Sequence, residues 1–240
     1  MRNYISFGGG VNSVAMMLYL YSEDPGRTDF ESVFVDHGTD YPMTYDYLEM
    51  FQKYLKDEGY PPITVIRPKE KNLYDYCFEH RMVPSIHPRW CTRQFKIKPL
   101  FDYYKKPCFQ MIGIDAGESK RARISVEDGV ENRYPLIELN INREECSQLI
   151  KWHNIPIPPK SGCFICPYQT PYQWRELRFN HPDLFCRAEQ LEKRNMEYRI
   201  SKGKKPMYLS PRKASLRAVV EETQAQIFEQ DEYPPCQCGL

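Results

Sequence analysis

The stretch Ser6-Phe7-Gly8-Gly9-Gly10-Val11-Asn12-Ser13 lies between a short apolar run and a helical one. Tyr4, Ile5 and Phe7 read as the end of a first strand. Val14, Ala15, Met17, Leu18 and Leu20 read as the buried stripe of a following helix. Three glycines at that junction let the backbone turn tightly and approach a ligand closely. The N–H groups of the loop and of the first helical turn then point at one spot, which favours an anion. Ser13 adds a hydroxyl. A glycine-rich connection without a ligand is the bland alternative, but the strand before and the helix after favour a phosphate site. No Gly-Lys-Ser/Thr follows, so this is not a Walker loop. The glycines are contiguous, so it is not the dinucleotide fingerprint either.

Working outward, Val33, Phe34 and Val35 form a second apolar run, ending in the polar turn Asp36-His37-Gly38-Thr39-Asp40. Helical spacing follows over 42–58, a strand over 63–66, a helix over 73–80, a fourth strand over 108–114, a short fifth over 134–137 and a helix over 143–153. Strands alternating with helices predict an α/β fold, a parallel sheet with helices on both faces. In such sheets ligands bind at the carboxyl ends of the strands. The glycine loop, Asp36 to Asp40 and Gly113 to Glu118 all follow strands and are expected to converge. After Pro156 the character changes. Residues 170–202 read as one or two helices, and the rest as polar and irregular apart from a short helix around Val219. The expected organisation is a nucleotide-binding domain over 1–155, with a helical and irregular cysteine-containing region over 156–240 packed on it.

The chain has 240 residues, a formal net charge of +1, 18 tyrosines and nine cysteines. That size supports a real core, and the charge gives no global field for nucleic acid or membrane. No apolar run approaches the roughly eighteen residues of a membrane span, and the N-terminus lacks a signal-peptide pattern. A cytoplasmic location with reduced thiols is expected.

Cys163-Phe164-Ile165-Cys166-Pro167 is a Cys-x-x-Cys unit in a proline-bounded loop. It suits zinc, an iron–sulfur cluster or a redox dithiol, and a four-ligand site needs two more donors. Cys91 lies in the polar segment Arg89 to Arg93, and Cys236 and Cys238 form a terminal pair. Cys77, Cys108, Cys146 and Cys186 fall in apolar periodic stretches and read as core. Arg89, Arg93, Lys96 and Lys98 form one basic cluster, and Lys120, Arg121 and Arg123 another. Each residue singly suits a solvated face; together, Arg93, Lys96, Lys120 and Arg121 suit a clamp on phosphate or sulfate. Asp36 and Asp40 are turn formers or ligands for ribose or magnesium. No histidine shows triad-like or metal-like spacing.

Gly8 to Ser13 resembles the PP-loop of the ATP pyrophosphatase and PAPS reductase superfamily, Ser-Gly-Gly-x-Asp-Ser, with Gly8 in place of Ser and Asn12 in place of Asp. Asn supplies no charge for magnesium but still caps the helix and holds the loop. Trp90 to Leu100 resembles the Cys-x-x-x-x-Lys-Ile/Val-x-Pro-Leu segment of the same proteins. Cys163 to Tyr168 resembles their Cys-x-x-Cys-Pro-Tyr segment, Asp36 to Pro42 their Asp-Thr-Gly-x-Glu-x-Pro turn, and Gly113 to Arg121 their Gly-Ile-x-x-x-Glu-x-x-Arg. The pattern of single cysteines around a Cys-x-x-Cys looks most like the ATP pyrophosphatases of DNA phosphorothioation. Cys238-Gly239 matches a terminal Cys-Gly that completes their cluster set.

The resemblance implies an enzyme that attacks the α-phosphate of ATP, releases pyrophosphate and couples this to sulfur transfer. It implies ATP with magnesium, and a 4Fe–4S cluster or alternatively zinc on Cys91, Cys163, Cys166 and Cys238. The implied nucleotide site comprises Ser6, Gly8, Gly9, Gly10, Val11, Asn12, Ser13, Asp36, Gly113 and Asp115, with Asn12, Ser13 and Cys238 as catalytic candidates. Partners are an adenine nucleotide, a sulfur-donor protein or small thiol, and a nucleic-acid acceptor, with no membrane. If the usual Asp has a metal or charge role, Asn12→Asp is expected to keep binding and to raise turnover. Two rival readings stand: a PAPS or adenylyl sulfate reductase using Cys238, and a non-catalytic nucleotide-binding partner protein.

Overall fold

The computed structural model describes residues 1–23, 30–69 and 71–225. Among them, β1 (Arg2–Phe7), β2 (Phe30–Val35), β3 (Ile63–Ile66), β4 (Cys108–Ile112) and β5 (Val130–Arg133) form one sheet in the order β3-β2-β1-β4-β5. Every pairing is parallel, with Tyr4 opposite Glu31 on one side and Gln110 on the other. The order switches direction between β1 and β4. A crevice therefore opens between their carboxyl ends, where this class of sheet receives ligands.

The central strands β2, β1 and β4 bury both faces, which is why they lack a clean apolar–polar alternation. Ile5, Phe7, Phe34 and Met111 face α1 (Val11–Glu23), α2 (Pro42–Asp57) and α7 (Arg143–Trp152). Tyr4, Val33, Val35 and Cys108 face the other way, onto Leu100 and Tyr104 at α5 (Lys98–Tyr103). A further apolar cluster joins α3 (Leu73–Glu79) to α8 (Pro171–Asn180), α9 (Pro182–Ser201) and α10 (Leu216–Ala225), so it draws on both sides of residue 155. Trp174 belongs to it, fully buried. Glu192 is buried there too, and its two carboxylate oxygens accept from the N–H groups of Leu209 and Leu216, each at 2.9 Å. A paired acceptor of this kind ties the polar segment before α10 to α9.

Two expectations are corrected, and one segment the sequence left unassigned takes a definite form. The fifth strand is Val130–Arg133, not 134–137. Pro135 instead opens the helical turn α6 (Pro135–Glu138), whose first position suits its fixed φ. An edge strand in which Val130 is the one apolar residue, β5 carries no apolar signature. The segment around Cys91 is helical: α4 (Trp90–Thr92) runs through a π-helical turn, Arg93–Ile97, into α5. Cys186 is exposed, because α9 buries Leu184, Phe185, Ala188 and Leu191 and leaves position 186 on its outer side.

Candidate nucleotide and thiol site

Three glycines link β1 to α1. Gly9 has a φ of +70°, and a Cβ there would also lie 3.2 Å from Thr44 Cγ2. A side chain at Gly10 would meet Ser161 Oγ at 3.1 Å, whereas one at Gly8 would meet nothing within 4 Å. Ser13 closes the turn: its hydroxyl donates to the Gly10 carbonyl at 2.9 Å and accepts from the Gly10 N–H at 3.2 Å. Gly113, just past β4, packs backbone to backbone on the first turn of α1. A Cβ there would stand 2.9 Å from Ser13 N and 3.0 Å from Asn12 C.

Asn12 does not cap α1; it is the second residue of the helix and is buried. Its Nδ2 donates to Asp115 Oδ2 at 2.8 Å, and its Oδ1 accepts from Arg143 Nη1 at 2.8 Å. Asp115, also buried, caps the 3₁₀ turn Ala116–Arg121 by accepting from the Glu118 N–H at 3.2 Å. One amide thus joins the glycine loop, the end of β4 and the start of α7.

These elements surround a cavity of about 970 Å³. Of the residues expected at the nucleotide, Ser6, Gly8, Gly10, Val11, Asn12, Ser13, Gly113 and Asp115 line it, and so do Lys96 and Arg121. Arg121 is engaged by Glu118, Nη1 to Oε2 at 2.6 Å. Gly9, Arg93 and Lys120 are not part of the wall, and neither is Asp36. The Asp36 carboxylate accepts at 2.9 Å from each of the Gly38 N–H, the Tyr45 hydroxyl and the Arg67 Nε. Burial pushes its pKa up, but those hydrogen bonds outweigh it and hold the carboxyl below its ordinary value. The sequence reading missed Arg143, Tyr41, Gln169 and Gln173, which all line the cavity.

The Cys-x-x-Cys loop is stitched to the turn after β2. Phe164 N donates to Thr39 O at 2.9 Å and Tyr41 N to Gly162 O at 3.0 Å, with Asp40 and Cys163 bridged antiparallel. The Cys163 thiol donates to Thr39 Oγ1 at 3.0 Å, and that hydroxyl is 2.7 Å from His37 Nδ1. Burial drives the His37 pKa down to about 4. Asp40, whose Oδ2 lies 3.3 Å from Nε2, opposes the shift and Lys96 adds to it. Gln169 braces the loop: its Nε2 donates to Phe164 O at 3.1 Å, and its Oε1 accepts from the Tyr41 hydroxyl. Cys91, Cys163 and Cys166 border a second hollow of about 40 Å³. Cys163, Cys166, Lys96 and Tyr168 belong to the walls of both spaces. Cys236 and Cys238 lie outside the described residues.

No protein-family model matches the chain. It is 24% identical over 214 residues to an uncharacterized protein, MJ0973, of Methanocaldococcus jannaschii, covering 80% of this chain and 49% of that protein. The chain therefore spans about half the length of the curated relative it matches. Among solved structures, the phosphoadenylyl-sulfate (PAPS) reductase of Candida auris, in a phosphate complex, superposes with a TM-score of 0.51 at 16% identity. That match covers 68% of this chain and 81% of the reductase. The U34-tRNA thiolase NcsA of Methanococcus maripaludis, with its 4Fe–4S cluster, gives a TM-score of 0.44 at 15% identity, over 81% of this chain and 72% of that one. The chain has the PAPS reductase-like fold, as its sequence predicts. No helix among the described residues is long and apolar enough to cross a membrane.

Proposed function

We propose that this chain is a PP-loop enzyme of sulfur transfer that binds ATP with magnesium in the cavity and promotes attack by an acceptor on the α-phosphate of that ATP. The observation that carries this reading is the shared wall: the glycine loop and two thiols, Cys163 and Cys166, border one cavity. The loop N–H groups and the first turn of α1 hold the phosphates. An acceptor oxygen bonds to the α-phosphorus, the bond to the bridging oxygen breaks, and pyrophosphate leaves with the electron pair. Lys96 and Arg121 offset charge that develops on the phosphoryl oxygens. Sulfide released from a donor protein or a small thiol then bonds to the carbon that carries that acceptor oxygen, and AMP leaves with the C–O electron pair; the class of acceptor includes nucleic acid. A cytoplasmic setting belongs to the same proposal.

The proposal also assigns a 4Fe–4S cluster, or zinc in its stead, to Cys91, Cys163, Cys166 and Cys238. Thiolates suit either metal. As the described residues stand, no three His, Cys, Asp or Glu side chains are close enough to hold a metal ion, and Cys163 is engaged by Thr39.

The test is pyrophosphate release from ATP by the full chain, prepared without oxygen and supplied with magnesium and sulfide. Release that disappears in Gly9→Val and Gly10→Val supports the proposal. Tight ATP binding with no release favours the partner-protein reading. Sulfite production from PAPS or adenylyl sulfate, lost in Cys238→Ser, favours the reductase reading.

A further inference from the structure

The residue that meets Asn12 from α7 is a cation in an unfavourable place. Arg143 is the first residue of α7, beside the Asn142–Glu145 capping box. The N-terminal end of a helix is partially positive and disfavours a guanidinium. Helix stability therefore does not explain an arginine there. Packing does not explain it either, because Arg143 lines the cavity rather than the core.

Its partners complete the argument. The hydrogen bond it donates goes to the neutral Asn12 oxygen, and among the described residues it forms no ion pair. Arg121, on the same cavity, is by contrast already matched by Glu118. A guanidinium carries five N–H donors in a planar fork, suited to two oxygens of one phosphate. The buried amide of Asn12 fixes that fork at the mouth of the glycine loop while its other end is held by Asp115.

We infer that Arg143 grips the phosphates of the ligand bound at the glycine loop, with Asn12 as its positioning residue. This rests on the nucleotide reading above and deepens it. The usual acidic residue at position 12 would recruit a cation. Here a neutral amide leaves the place to a guanidinium that the protein itself supplies. The asparagine is thus an exchange of charge carriers rather than a mark of lost chemistry. An aspartate at position 12 would put two carboxylates where Asn12 Nδ2 and Asp115 Oδ2 now lie 2.8 Å apart. Facing such a pair, the Arg143 guanidinium is drawn to the carboxylates and away from the ligand unless a metal ion takes its place.

The experiment is calorimetry on the full chain with ATP, inorganic pyrophosphate and adenosine, each with magnesium and with a chelator. Arg143→Gln keeps a donor for Asn12 and removes the charge. It is expected to weaken ATP and pyrophosphate about tenfold or more while adenosine stays within about twofold, as befits a lost charge-assisted phosphate contact. Arg143→Lys, a point charge without the fork, falls between. Asn12→Asp is expected to weaken ATP about tenfold in chelator and to recover with magnesium, so that its metal dependence exceeds that of the wild type. Unchanged ATP and pyrophosphate affinities in Arg143→Gln overturn the inference. If glycine-loop variants still abolish ATP binding in that case, the nucleotide reading survives without it. A wild-type chain that holds neither ATP nor pyrophosphate overturns both. Circular dichroism and melting of each variant separate a lost contact from a lost fold.

Discussion

The two halves of the cavity wall are built by different means. The glycine loop is finished by the backbone. Gly9 takes its left-handed turn, Gly113 lets β4 touch α1, and Ser13 and Asn12 close the remaining polar groups. The thiol side is only gathered. Cys91, Cys163 and Cys166 come from α4 and a distant loop to border one small hollow, yet they do not form a metal-holding group among the described residues. A phosphate site made of N–H groups needs nothing beyond folding, because the same hydrogen bonds that build the turn aim its donors. A thiolate site is completed by what it binds, since metal binding and ordering are one process.

The loop side should therefore break sharply under small steric changes. Gly113→Val should have the largest effect. Its new side chain meets backbone atoms at 2.9–3.0 Å, which cannot turn aside. Overpacking against backbone should cost about 3 kcal/mol or more and lower Tm by about 10 °C. Gly8→Ala is the control, because nothing lies within 4 Å of its Cβ. Equal melting of the two would show that the close approach of β4 and α1 is not what holds the loop.

Gly9→Val comes next. The branched residue must adopt φ near +70° and press on Thr44. Strain of about 1–3 kcal/mol is expected, with roughly a tenfold loss of ATP affinity as the turn relaxes. The cause is backbone geometry and not a side chain in the phosphate position, since the added atoms point at Thr44. Calorimetry that returns the wild-type dissociation constant would contradict a preformed loop.

On the thiol side the brace is Gln169. In Gln169→Ala the Phe164 carbonyl loses the side-chain donor and the Tyr41 hydroxyl loses the Gln169 oxygen, while the Cys166 carbonyl keeps the backbone N–H of residue 169. Unsatisfied polar groups of this kind cost about 1–3 kcal/mol together if water reaches them, and more if it does not. Thermal melting should show that loss, and alkylation of Cys163, now 8% exposed, should speed up. An alkylation rate equal to wild type would mean that the loop holds its thiols without the glutamine.

Much of the sheet was legible in the chain: the buried central strand β2 announces itself as an apolar run, and 63–66 matches β3 residue for residue, an edge strand with one buried side chain that still carries Ile63, Val65 and Ile66. The other edge strand was not legible, because Val130-Glu131-Asn132-Arg133 has a single apolar residue. The helix around Cys91 was obscured by its many cations, and its buried positions, Phe95 and Leu100, are spaced by a π turn rather than at α-helical intervals. Within the site, the glycine loop was legible from local sequence alone. The bond from Asn12 to Arg143 was not, because it spans 131 residues, and no local pattern marks a pairing of that range. Arg143 did carry one clue, a cation at a helix start.

The smallest expected effect tests the comparison most directly. If the thiol side is gathered rather than finished, Cys91→Ser and Cys166→Ser should hardly change the metal-free protein. Both residues are only half-buried, and Ser replaces Cys with little change in volume. A shift in stability below about 1 kcal/mol, or roughly 2–4 °C in Tm, is expected. The difference should appear on loading. Wild-type chain given iron and sulfide, or zinc, without oxygen should melt at a higher temperature, because a ligand that binds only the folded state adds its binding free energy to stability. The two serine variants should lose most of that gain, and iron or zinc analysis should fall in step. A wild-type protein whose melting and metal content do not respond to either metal would leave the three cysteines as packing residues. The cavity would then be a nucleotide site alone, with the sulfur supplied entirely from outside.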